Sequence, residues 1–113
     1  MHEYPITEQI VNIALRHLEE SDGQRVVAIH LVLGENSGIV PESVHMYFDL
    51  ISEGTPCSQA EILIKRIKPT LRCPGCGTEF VRKPMSFACP VCGTDGHPTE
   101  TGKEFYIDSI EVE

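Results

Sequence analysis

Four cysteines, Cys73, Cys76, Cys89 and Cys92, form two C-x-x-C pairs, reading C-P-G-C-G and C-P-V-C-G, with twelve residues between Cys76 and Cys89. Two such pairs can close a tetrahedral metal site. Each sits on a Pro/Gly turn that lets two thiolates and nearby backbone N–H groups point at one ion. Four thiolates fill the coordination sphere and leave no position for water or substrate, so the site is expected to be structural. Zinc is favoured over iron. A rubredoxin-like iron site sits in a larger aromatic core, and Phe80 and Phe87 are the only aromatics between the pairs. The fifth cysteine, Cys57, has no partner at ligand spacing and reads as a small packing residue rather than a nucleophile.

A second chelating set stands at the start of the chain. A large residue at position 2 disfavours removal of Met1, which leaves its α-amine beside the backbone nitrogen and imidazole of His2. Amine and amide nitrogen close a five-membered ring on a cation, and amide nitrogen and imidazole a six-membered one. Deprotonating an amide needs a metal that rewards a square plane of nitrogens, which means Ni²⁺ or Cu²⁺. Glu3, another histidine or water could fill the fourth position. The amine titrates near ~8 and imidazole near ~6.5, so binding weakens as pH falls. The plainer reading is that a lone histidine at position 2 is incidental. His17, on the apolar face of a helix, reads as a core histidine, and His30 and His45 as packing or surface residues. His97, in a turn-rich segment five residues after Cys92, is either solvated or a donor that swings into a site.

These groups need elements to hold them. Ile6, Ile10, Ile13, Ala14, His17 and Leu18 repeat at helical spacing, predicting a helix over 6–19 that Ser21-Asp22-Gly23 ends. The run Val26–Leu33 predicts a strand bounded by Gly34. Pro41-Glu42 opens a second helix with Val44, Tyr47, Phe48 and Ile51 on its inner face. A second strand is expected over 60–67. Phe105, Ile107 and Ile110 mark a last strand that must rejoin the first sheet to bury them. Residues 93–98 read as a mobile exit from the metal module. The expected architecture is α+β: a small mixed β-sheet packed with two helices, with an inserted zinc-ribbon-like module. Residues 1–69 form the first part of one domain, 70–98 the module, and 99–113 the returning strand.

Charge narrows the function classes. The net charge is −8. Residues 68–97 carry Lys68, Arg72, Arg82 and Lys83 against Glu79 and Asp95, so the remainder is strongly acidic. A phosphate backbone would repel such a chain, whereas cations and basic protein surfaces would not. No stretch approaches membrane-span length, and the N-terminus lacks the basic and apolar regions of a secretory signal. Cysteines in metal spacing suit a reducing compartment, so a cytoplasmic location is expected.

Taken together, these residues resemble one family. Met1-His2-Glu3, the runs Val32-Leu33-Gly34-Glu35 and Val40-Pro41-Glu42-Ser43, Phe48-Asp49-Leu50 through Glu53-Gly54-Thr55, both C-P-x-C-G turns and the closing Ser109–Glu113 are similar to the HypA proteins, in order along the whole chain. The resemblance implies a hydrogenase maturation factor that carries nickel and is not an enzyme. It implies Ni²⁺ cargo at His2 and Glu3, with the Met1 amine and backbone nitrogens assisting. It further implies structural Zn²⁺ at the four cysteines and His97 as an additional nickel donor. The implied partners are the GTPase HypB and the precursor of a [NiFe]-hydrogenase large subunit, with urease maturation proteins in some members. Nucleic acid and membrane are not among them. From the residues alone, the rival reading is a zinc-ribbon nucleic-acid-binding or transcription-associated module, which the acidic balance and the lack of a basic, aromatic-studded strand weigh against. A metalloenzyme using His97 or Glu79 lacks an open metal position.

Overall fold

The fold is that of a computed structural model describing residues 3–113. The chain forms two compact units. The first comprises residues up to Val32 together with Ile39–Lys65 and Phe105–Glu113, and the second comprises Leu33–Gly38 and Arg66–Glu104.

In the first unit, helix α1 (Glu3–Glu20) begins three residues before the apolar repeat, with Pro5 in its first turn where a missing N–H costs nothing. It buries Thr7, Ile10, Val11, Ala14 and Leu18. That stripe is rotated from the expected one, so Ile13 and His17 are exposed, and the expectation of a core histidine at position 17 does not hold. Thr7 takes a core position because its hydroxyl donates to the Glu3 carbonyl one turn back, at 2.5 Å. Asp22, at φ 56°, takes the left-handed turn that ends the helix, and the Gly23 N–H donates back to the Leu18 carbonyl.

Strand β1 (Val26–Gly34) is central to a three-stranded sheet of order β2-β1-β6, with β2 (Glu61–Ile67) and β6 (Phe105–Val112) at its sides. The last strand therefore returns to the first, as its apolar residues require. Arg25 and Glu113 exchange backbone hydrogen bonds where the two strands close. Helix α2 (Pro41–Ser52) packs against α1 and buries Val44, Phe48 and Ser52. One core cluster joins Ile10, Val11, Ala14 and Leu18 of α1 to Val26, Ile29 and Leu31 of β1, Val44 and Phe48 of α2, Ile62 of β2, and Cys57.

The second unit holds a second sheet, of order β4-β3-β5, built from β3 (Thr70–Arg72), β4 (Glu79–Val81) and β5 (His97–Pro98). Both neighbours run antiparallel to β3, with Leu71 opposite Phe80 on one side and Pro98 on the other. Residues 93–98 are thus pinned, contrary to the expected mobile exit: Asp95 bridges Ala88, and His97 pairs with Arg72. The segment after β1 joins this unit through Gly34 and Asn36, whose N–H groups donate to the Glu104 and Gly102 carbonyls, each at 2.7 Å. Gly34 permits this approach: a Cβ there would lie 2.0 Å from the Gly102 oxygen.

Candidate metal centre

Strand β3 delivers the chain to Cys73, and two turns of identical construction follow. In the first, the Cys73 N–H donates to the Thr78 carbonyl and the Gly77 N–H to the Cys73 carbonyl, both at 2.9 Å. In the second, Cys89 bonds Thr94 and Gly93 bonds Cys89, again at 2.9 Å. Gly77 and Gly93 sit at φ 78° and 79°, in the left-handed region where a side chain is strained, which explains the glycine after each second cysteine.

The turns bring Cys73, Cys76, Cys89 and Cys92 together, their four sulfurs within 4.8 Å of one another. The Cys73–Cys92 sulfurs are 3.3 Å apart and the Cys76–Cys89 sulfurs 3.6 Å. A tetrahedron with metal–sulfur bonds of 2.3 Å has sulfur–sulfur edges of about 3.8 Å. The donor set therefore fits a tetrahedral thiolate-binding ion. Backbone N–H groups of Cys76 and Val91 point at the sulfurs of Cys73 and Cys89, at 3.5 and 3.4 Å. Cys73 and Cys89 are buried, and Cys76 and Cys92 exposed.

Cys73, Cys76 and Cys92 are electrostatically unequal. The Thr94 hydroxyl and backbone N–H hold the Cys92 thiol down to about 6. Thr78 acts likewise on Cys76, its hydroxyl 3.1 Å from the sulfur. At Cys73 the Cys76 N–H favours the thiolate, but burial and the sulfurs of Cys92 and Cys76 together outweigh it and push the thiol up to about 11. A cation at the centre of the cluster would deprotonate its ligands outright. Thr78 and Thr94 escape a reading confined to cysteines, yet their signal is in the chain: each pair extends to C-P-x-C-G-T.

Around the site, Glu79 on β4 accepts from the Thr70 hydroxyl at 2.7 Å and from Arg72 at 3.3 Å, which braces the short strands rather than offering an acid–base group. Cys57 lies apart in the core of the first unit, where burial raises its thiol and suppresses reactivity. His30 pairs with Glu111 at 2.5 Å, and His45 is exposed on α2. His97 is exposed on β5. Of the candidate nickel donors, Met1 and His2 lie outside the described residues. Glu3 opens α1, and its carboxylate accepts the Val40 N–H at 3.4 Å.

A family model described as "Hydrogenase/urease nickel incorporation, metallochaperone, hypA" matches residues 1–112. The chain belongs to the HypA family. The hydrogenase maturation factor HypA of Caldanaerobacter subterraneus subsp. tengcongensis is 40% identical to it over 114 residues, covering 100% of both chains. That of Dehalococcoides mccartyi is 37% identical over 113 residues, covering 100% of this chain and 95% of its own. Two solution structures share the HypA fold, both at 22% identity. One, of a HypA protein, has a TM-score of 0.72 and covers 100% of this chain and 97% of its own. The other, of the Ni metallochaperone HypA from Helicobacter pylori, has a TM-score of 0.64 and covers 99% and 97%. The HypA family is one of nickel-incorporation metallochaperones, not a class of catalysts. Among the described residues no helix is long and apolar enough to cross a membrane.

Proposed function

We propose that this chain is a cytoplasmic, non-enzymatic nickel carrier that loads Ni²⁺ at its N-terminus and hands it, with the GTPase HypB, to the precursor of a [NiFe]-hydrogenase large subunit. Urease maturation proteins are a further class of recipient. The observation that carries this reading is the family match, which runs through the N-terminal Met-His-Glu. Residues 1–69 with 99–113 would form the nickel-binding domain and 70–98 the zinc module. The cargo donors are the Met1 amine, the backbone nitrogen and imidazole of His2, and Glu3, with His97 as an additional donor. A terminal chelate suits carriage because its donors can leave one at a time. Cys73, Cys76, Cys89 and Cys92 would hold Zn²⁺, which supplies a structural cross-link and no open coordination position.

The test is metal analysis of untagged protein after exposure to Ni²⁺. The intact chain is expected to take up stoichiometric nickel with one zinc. His2→Ala is expected to lose the nickel and keep the zinc, and an N-terminal tag, which converts the amine to an amide, should do the same. Full nickel uptake by His2→Ala would overturn the chelate.

A further inference from the structure

The outward face of α2 is built unlike a solvated helix surface. Met46 is 52% exposed and Leu50 62%, one turn apart, where side chains adjoin. They point away from the stripe of Val44, Phe48 and Ser52 that faces the core. Glu42, Asp49 and Glu53 border them, all exposed. The helix carries no Lys or Arg, and among the described residues none of the three carboxylates takes part in an ion pair. The first unit as a whole carries twelve carboxylates against Arg16, Arg25 and Lys65.

We infer that this face docks a basic amphipathic helix of a partner protein, with aliphatic residues seated on Met46 and Leu50 and Lys or Arg on Glu42, Asp49 and Glu53. Charge complementarity selects this occupant. A second copy of the chain would bring the same three carboxylates against themselves, and like charges face to face oppose binding. An anionic lipid surface or a nucleic acid is repelled for the same reason. The flexible Met46 side chain adapts to an aliphatic knob, and the apolar centre with a charged rim is the usual layout of a docking site. The inference does not depend on nickel binding.

The test titrates ¹⁵N-labelled, zinc-loaded full-length protein with a synthetic helical peptide carrying leucines at i and i+4 flanked by lysines and arginines. A scrambled peptide of equal composition is the control. Amide shifts are expected to concentrate on residues 41–53. Affinity is expected to fall at least tenfold in Met46→Ser/Leu50→Ser and in Glu42→Lys/Glu53→Lys. Should circular dichroism show the serine pair misfolded, the charge pair alone carries the comparison. Equal binding of the scrambled peptide, shifts spread over the whole acidic unit, or affinity unchanged in both pairs would overturn the inference. Self-association of the protein alone that either pair abolishes, read by sedimentation, would overturn it too, since the occupant would then be a second copy.

Discussion

At the residue scale, the hydroxyls of Thr78 and Thr94 set how readily Cys76 and Cys92 become the thiolates a metal binds. A hydroxyl that donates to sulfur favours the thiolate, the species that binds metal. With the turns folded, Thr94 holds Cys92 down to about 6 while burial and neighbouring sulfurs push Cys73 up to about 11, so the hydroxyls ease formation of the thiolates that a cation would bind. The sign follows directly. A thiol depressed from 9.0 to about 6 contributes stability that is fully present above pH 9 and lost as pH falls towards 6. Thr94→Val removes that hydroxyl at little change in volume. Partners outside the ligand sphere typically govern affinity by 10–100-fold. The variant is therefore expected to bind zinc about tenfold or more weakly in chelator competition, with zinc released on acidification at a higher pH than from the parent. Thr78→Val should act in the same direction through Cys76, whose thiol is also lowered. Unchanged affinity in both variants would mean that the backbone N–H groups alone tune the sulfurs.

At the element scale, the long elements were legible because burial on one face imposes a period, and the short ones were not. The helices, β1, β2 and β6 follow from apolar spacing, with the start of α1 displaced by three residues. Strands β3, β4 and β5 span three, three and two residues, too few for any alternation to show. Cross-strand pairing and side chains such as Glu79 set them, which is why His97 read as part of a loop. The error at His17 has a different cause. A partly polar helix admits two adjacent stripes, and the choice falls to Thr7, whose hydroxyl is satisfied within the helix and so can enter the core. The cysteine cluster was legible in full, because its C-x-x-C spacing is local in sequence, while the N-terminal donors were read from the chelating chemistry of Met1 and His2 and from the family resemblance, and those two residues lie outside the described ones. Junctions are legible only after the fact: Gly34 looks like any strand-ending glycine, yet its backbone passes against Gly102. An added methyl would meet backbone atoms there, at 2.0 and 2.2 Å, that have no rotamer to yield. Gly34→Ala is expected to cost about 3 kcal/mol, the upper end for overpacking, and to lower the urea midpoint at unchanged slope.

At the scale of the whole molecule, the two units draw their stability from different sources. All eleven side chains of the core cluster belong to the first unit. The second unit buries Leu33, Leu71, Cys73 and Cys89, two of them cysteines of the cluster, and its sheet has strands of three residues at most. So few apolar side chains cannot offset the conformational entropy of a segment this long, and the proposed cation would close the difference. Their charges differ as well: the second unit holds five carboxylates against six Lys and Arg, while the first is heavily acidic. Acidic repulsion therefore acts on the unit with the larger core, which can withstand it. Stripping the proposed zinc with a strong chelator at neutral pH is accordingly expected to collapse the amide dispersion of residues 66–104 in a ¹⁵N spectrum, while amides of α1, α2 and β6 keep their native shifts. Because the proposed nickel donors other than His97 precede or open α1, the stripped protein should still take up nickel, with altered affinity if His97 contributes. Loss of dispersion from both units at once would show that the first unit does not stand without the metal. The zinc would then be a condition of the whole fold rather than of the module alone.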